Sequence, residues 1–197
     1  MTTPPPRPRR LGKRRNERGA VLVELALCAA LLIVITLGIV DYGTLFTDKI
    51  SLKGGAREAV WNGGRQIFGS AVDCGLTGVG STPNPTGDLN TKRLMCMAKT
   101  RSDLPSSEMR VRVEFVNIES PATPGTYAPG SGLMVCIMRQ AHSVSGLFSF
   151  TLDNTYQTAK LVGLIQNASA PGLTELAETP FAGQSWNFCD PTAAAST

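Results

Sequence analysis

The chain has 197 residues, a formal net charge of +4, 42% hydrophobic and 17% charged residues, which bounds it to one modest domain plus a tail or anchor. The charge is uneven: residues 1–19 hold seven bases (Arg7, Arg9, Arg10, Lys13, Arg14, Arg15, Arg18) against Glu17, for +6, whereas residues 20–197 hold 12 bases against 14 acids, for −2. A nucleic-acid-binding domain needs a basic face on folded structure, and no run after the leader supplies one, so nucleic acid is not expected as a partner.

Residues 1–18 are rich in Pro and Arg without an apolar period and read as a disordered cytoplasmic leader. From Ala20 to Val40 run 21 residues with Glu24 as the sole charge. A helix of that length rises about 30 Å, the thickness of a bilayer core. Bases precede the run, and Asp41 and Asp48 follow it, so the N-terminus is expected inside and the bulk of the chain outside. A cleaved secretory signal fits less well: its apolar core would be about 7–15 residues, and the small-x-small candidate Thr36-Leu37-Gly38 lies within the apolar run. Beyond Asp41 the helical period continues through Tyr42, Leu45, Phe46, Ile50, Leu52, Ala56, Ala59 and Val60. The helix is expected to extend, with a bend at Gly54-Gly55 and an end near Gly63-Gly64.

Residues 69–92 are dense in Gly, Pro, Ser, Thr and Asn and read as a long loop, followed by a short apolar helical turn in LMCMAKTR. Met109 to Val116 alternates, with Met109, Val111, Val113 and Phe115 on one face and Arg110, Arg112 and Glu114 on the other, the pattern of a half-buried strand. Leu133 to Gln140 is apolar on both faces and reads as a more buried strand. GLFSFTL follows after a short break, and Thr155 to Ile165 reads as another strand, with a centre that also fits a helix. PGLTELAETP is expected as a short helix, and PTAAAST as tail. The layout is a basic leader (1–19), a transmembrane helix (20–40), its amphipathic extension (41–68), an extracytoplasmic domain (69–190) and a disordered tail (191–197). The fold class is α+β, the long helix packing on a small antiparallel sheet of three or four strands.

Catalytic chemistry finds little support. His142 is the single histidine, and no G-x-S-x-G, P-loop or H-E-x-x-H pattern occurs. Cys28 lies in the apolar run, whereas Cys74, Cys96, Cys136 and Cys189 fall in the part assigned to an oxidising compartment. Two disulfides are expected in one of three connectivities. Cys74–Cys96 would close the Gly/Pro-rich loop, and Cys136–Cys189 would tie the tail to a strand. With no C-x-x-C pair, zinc is not expected, nor is any other cofactor or metal.

The most specific pattern is RGAVLVELALCAALLIVITLGIVDYG followed by GGAREAVWNGGR. Arg18-Gly19 precedes an apolar helix whose fifth residue is Glu24. This resembles the signal of type IV pilin-like proteins, and further resembles TadE-like proteins of the tight-adherence (Flp-type) pilus system over the first third of the chain. The resemblance implies a pilin-like fold and cutting between Gly19 and Ala20 by a prepilin peptidase on the cytoplasmic side. It also implies pairing of Glu24 with the new amine of a neighbouring subunit, and partnership with other pilin-like subunits, the assembly machinery and the bilayer. Ala20 stands where classical type IV pilins carry Phe, and Leu25 where the major Flp pilin carries Tyr, which favours a minor pilin or pseudopilin over the main fibre subunit. A purely local reading of Glu24 is that it lies near a helix N-terminus, where the dipole favours an acid by about 0.3–1 kcal/mol. An uncleaved single-span surface protein with a binding ectodomain, and an exported enzyme, are the other function classes.

Overall fold

The computed structural model describes residues 14–79, 85–120, 125–169 and 172–191. Most of the expected disordered leader (1–13) and nearly all of the tail (192–197) lie outside them. Helix α1, Arg14–Gly64, is a single helix of 51 residues, about 75 Å long. It starts earlier than the sequence reading placed it, because nothing between Arg14 and Ala20 breaks a helix. Every side chain from Ala20 to Thr36 is exposed. A buried stripe then begins at Asp41 and continues through Leu52, Gly55, Ala56, Ala59, Val60 and Gly63, the helical spacing of one face turned onto the ectodomain.

The expected bend at Gly54-Gly55 is not a helix break; α1 runs on through both residues. The two glycines differ in surroundings. A Cβ on Gly55 would collide with the carbonyl oxygen of Ala98 and lie 3.1 Å from the Ser102 Cβ, while one on Gly54 would meet nothing within 4 Å. Gly55 thus permits close approach of the second helix, and Gly54 does not serve packing. Gly54→Ala is therefore expected to stabilise the chain by up to about 1 kcal/mol through helix propensity, and Gly55→Ala to destabilise it despite the same gain. Denaturant unfolding of the detergent-solubilised chain checks the pair; equal effects would contradict the packing role. The helix ends at Gly64, short of residue 68, by a Schellman motif: Ile67 N donates to Asn62 O (2.9 Å) and Gln66 N to Gly63 O (3.2 Å), with Gln66 in the left-handed region at φ 60°.

Helix α2, Pro85–Arg101, occupies what the sequence reads as loop and turn. Pro85 suits a first helical position, and Asp88 lies in the first turn, where the dipole favours an acid. Strands β1 (Met109–Val116), β2 (Gly132–Gln140), β3 (Tyr156–Leu164) and β4 (Leu176–Ala177) form one sheet in the order β3-β2-β1-β4. All pairings are antiparallel, with Val113 opposite Val135 and Ile137 opposite Ala159. A short helix, α3 (Ser149–Leu152), precedes β3. The segment expected as a helix around residue 176 is instead β4, because it meets the otherwise open edge of β1.

The core lies between α1, α2 and one sheet face, built from Leu52, Ala56, Leu94, Met95, Val111, Val113, Val135 and Ile137 among others. On the opposite face Val116, Met134, Cys136 and Cys189 form a smaller cluster, against which Trp186 and Phe188 pack. This second layer explains why β2 is apolar on both faces. Within the domain lies a fully buried ion pair: Lys99 Nζ donates to Glu178 Oε1 at 2.8 Å, both side chains having 0% exposure. Glu178 also accepts from Thr77 N and Val111 N (2.8 Å each), and Lys99 donates to Gly75 O at 3.3 Å. Burial holds the Lys99 ammonium below the usual lysine range, with Glu178 opposing that shift.

Candidate functional site

Gly19, Ala20 and Glu24 all lie within α1, exposed. The backbone at Gly19 is helical, so a protease that needs an extended segment would have to unwind the first turns. A Cβ on Gly19 would meet nothing within 4 Å, so no packing among the described residues calls for glycine. Among the described residues Glu24 has no hydrogen-bond or ion-pair partner. It lies 17 residues before Asp41 on the same helix, about 26 Å along the axis. Among the described residues, none of the folded domain is brought to these three positions.

A second constellation sits where the apolar run ends. Asp41 is the first residue of the buried stripe and has 0% exposure. A buried carboxylate needs donors, and the turn after β2 supplies four. Val144 N (3.0 Å) and Ser145 N (2.8 Å) donate to Oδ1, while the hydroxyls of Ser143 (2.7 Å) and Ser145 (2.6 Å) donate to Oδ2. One turn either side, the same loop and sheet end hold the helix again. Phe148 packs on Gly38, where an added Cβ would sit 3.4 Å from its ring, and its ring centroid lies 6.3 Å from that of Tyr42. Gln157 Nε2 donates to Leu45 O at 3.0 Å. Arg139 pairs with Asp48 of α1 and, at 3.1 Å, with Glu108. The arrangement fixes the azimuth and height of the ectodomain on the helix where the apolar run ends.

Because these bonds favour the ionised form, the Asp41 carboxyl is held below its ordinary value of 3.8, chiefly by the Ser145 hydroxyl, with Ser143 and the two amides adding and burial opposing. A pKa depressed by folding contributes stability above the unfolded value and loses it as pH falls through the folded one. Amide protection at Val144 and Ser145, corrected for intrinsic exchange, is thus expected to hold from neutral pH to about 4 and to fall only in stronger acid. Hydrogen exchange reads this directly; loss of protection near neutral pH would contradict it.

Of the three connectivities open to the ectodomain cysteines, the structure has Cys74–Cys96 and Cys136–Cys189. The first ties the loop after α1 to α2, the second ties the C-terminal segment to β2. Cys28 is a free, exposed thiol on α1, and His142 is exposed beside the Asp41 loop. Sequence reasoning singled out Gly19, Ala20 and Glu24, which the structure leaves exposed and apart from the folded domain, and missed the role of Asp41. Its one local signal is an acid placed directly after an apolar run, and its partners lie about a hundred residues downstream.

Residues 19–64 of α1 include one apolar stretch long enough to cross a bilayer. No match is found among curated proteins or among solved structures. The segment holding Gly19, Glu24, the Asp41 clasp position and Gly55 is similar to a known family: residues 19–61 match the family model described as TadE-like protein.

Proposed function

We propose that this chain is a membrane-anchored minor pilin or pseudopilin acting in assembly of a Tad/Flp-type pilus, with a non-enzymatic role. The observation that carries the reading is the TadE-like match over residues 19–61, the segment that holds both Gly19-Ala20 and Glu24. The leader bases favour an N-terminus inside and an extracytoplasmic C-terminal domain at the bacterial cytoplasmic membrane. A prepilin peptidase cuts after Gly19, leaving a positive amine on Ala20. The apolar run stays in the bilayer, and Glu24 of one subunit pairs with that amine on a neighbour, setting an axial stagger. A carboxylate costs about 2.5–3.5 kcal/mol at the membrane centre and less near its edge, so an opposite charge offsets a real penalty. Other pilin-like subunits and the assembly machinery are the partners.

Intact mass and N-terminal peptide mapping of the protein from native membranes test the cut. A chain beginning at Ala20 is expected; a retained leader in a cell with active prepilin peptidase contradicts it. Glu24→Ala is expected to abolish pilus output and crosslinking to partner subunits while membrane insertion persists. Unchanged output would remove the assembly role. One observation favours a second reading, an uncleaved single-span surface protein: Gly19 lies inside α1 rather than ahead of it.

A further inference from the structure

The loop that grips Asp41 has an outer side that the grip leaves uncovered. Val144 is 67% exposed, Leu147 41% and Phe150 75%. From Ser143 to Leu152 the sequence SVSGLFSFTL contains no charged residue. Scattered exposed apolar side chains are ordinary, but a cluster of them on an uncharged loop calls for a cover. The position of the loop names that cover. Phe148, in its middle, packs on Gly38, two residues before Val40 at the end of the apolar run, or about 3 Å below that end. Tyr42, half-exposed beside Phe148, is a residue type enriched at membrane–water boundaries. A loop fastened to the helix at that height lies beside lipid, whatever else the ectodomain touches. The same loop is tied by Asp41 and, through Ser143 N to Asp153 Oδ1 at 3.0 Å, to its own far end, so it does not swing away.

We propose that residues 143–152 form a second, interfacial membrane contact, with Val144, Leu147 and Phe150 set among the headgroups and upper acyl chains of the leaflet that α1 leaves. The contact rests on α1 crossing the bilayer and extends the anchoring part of the proposed function. It stops the ectodomain from tilting about its single helix, and it buries apolar surface in the way of a shallow amphipathic element.

The test uses the full chain reconstituted into vesicles of phosphatidylglycerol and phosphatidylcholine, the latter brominated either high on its acyl chains or near their ends. Phe150→Trp and Leu147→Trp place reporters in the loop, and Ile118→Trp, on the turn after β1 at the opposite end of the sheet, serves as the control. The parent protein's Trp61 and Trp186 give the background. The added emission of both loop variants is expected to lose more than half its intensity with the high bromines and much less with the deep ones, while the control is unaffected. Emission that is quenched by aqueous acrylamide and not by either lipid overturns the proposal. So does emission shielded from both lipid and acrylamide, which would mean that a second protein surface covers the loop. Quenching of loop and control alike overturns it too, as whole-domain adsorption. Alkaline extraction of the same vesicles separates the two levels: a chain that washes off fails the spanning reading itself, whereas a chain that stays with an unquenched loop fails only this inference.

Discussion

Glu178→Ala is expected to destabilise the ectodomain by about 3–5 kcal/mol, the range for removing one partner of a buried ion pair. The carboxylate holds three groups at once: Lys99 Nζ, Thr77 N and Val111 N, all at 2.8 Å. Alanine would leave a buried ammonium and two backbone donors without their acceptor, and each lost bond carries its desolvation cost. Because these donors come from α2, the loop after α1 and β1, the failure would spread to the docking of all three. Lys99→Met with Glu178→Leu removes both charges and is expected to recover part of the loss. Full recovery is not expected, since the two amides stay unserved. Denaturant unfolding of the full chain in detergent measures both variants. A single-variant loss below about 1 kcal/mol would mean that the pair is well hydrated in solution.

Removing the Cys136–Cys189 disulfide by paired alanine substitution carries the second large expected effect. The bridge spans 53 residues, and loop-closure entropy for a ring of that size amounts to about 4 kcal/mol, against about 3 for the shorter Cys74–Cys96 ring. The local consequence is also specific. Cys189 anchors the segment carrying Trp186 and Phe188 over Val116, Met134 and Cys136. Without it that segment is expected to lift, exposing the outer face of β2. Trp186 emission should then shift red at denaturant concentrations where the parent is still native. A larger loss from the Cys74–Cys96 variant, or an unmoved Trp186, would overturn this ordering.

The three long strands were legible to different degrees: the alternation of β1 marks a strand outright, the two-sided apolar run of β2 fits a buried strand, and the centre of β3 also fits a helix until its pairing with β2 settles it. β1 alternates polar and apolar residues from Met109 to Phe115, and the expected Met109, Val111, Val113 and Phe115 are buried on the core face, with Val116 buried on the other. α2 was not legible. Its first half is written in turn residues, and those residues are helical because distant partners use their polar groups. Asn90 Nδ2 donates to Gly172 O at 3.3 Å, Thr91 Oγ1 to Thr174 O at 2.8 Å, and Thr174 Oγ1 to Asp88 Oδ1 at 2.7 Å. Tertiary bonding there overrides local preference. β4 was misread for the converse reason: Thr174 to Thr179 has no strand pattern, and the open edge of β1 with the two donors awaiting Glu178 makes it one. At the candidate site, Arg18-Gly19 ahead of the apolar run and Glu24 within it form a local pattern that the family match over residues 19–61 also covers. The Asp41 clasp joins residues too far apart in sequence for any local pattern to reveal.

The unbroken course of α1 from Arg14 to Gly64 makes it a rotary as well as an axial ruler. With about 100° of turn per residue, the 17 steps from Glu24 to Asp41 leave the two carboxylates about 100° apart around the helix. The clasp locks the ectodomain to the second of these directions. Any neighbour recognised by the first is therefore met by a fixed quadrant of the folded domain. Inserting one residue in the apolar run would move the ectodomain only about 1.5 Å outward but swing it through more than a quarter of a circle. If Glu24 pairs with a neighbour as proposed, the side of the domain which that neighbour faces is written in the number of residues between Glu24 and Asp41.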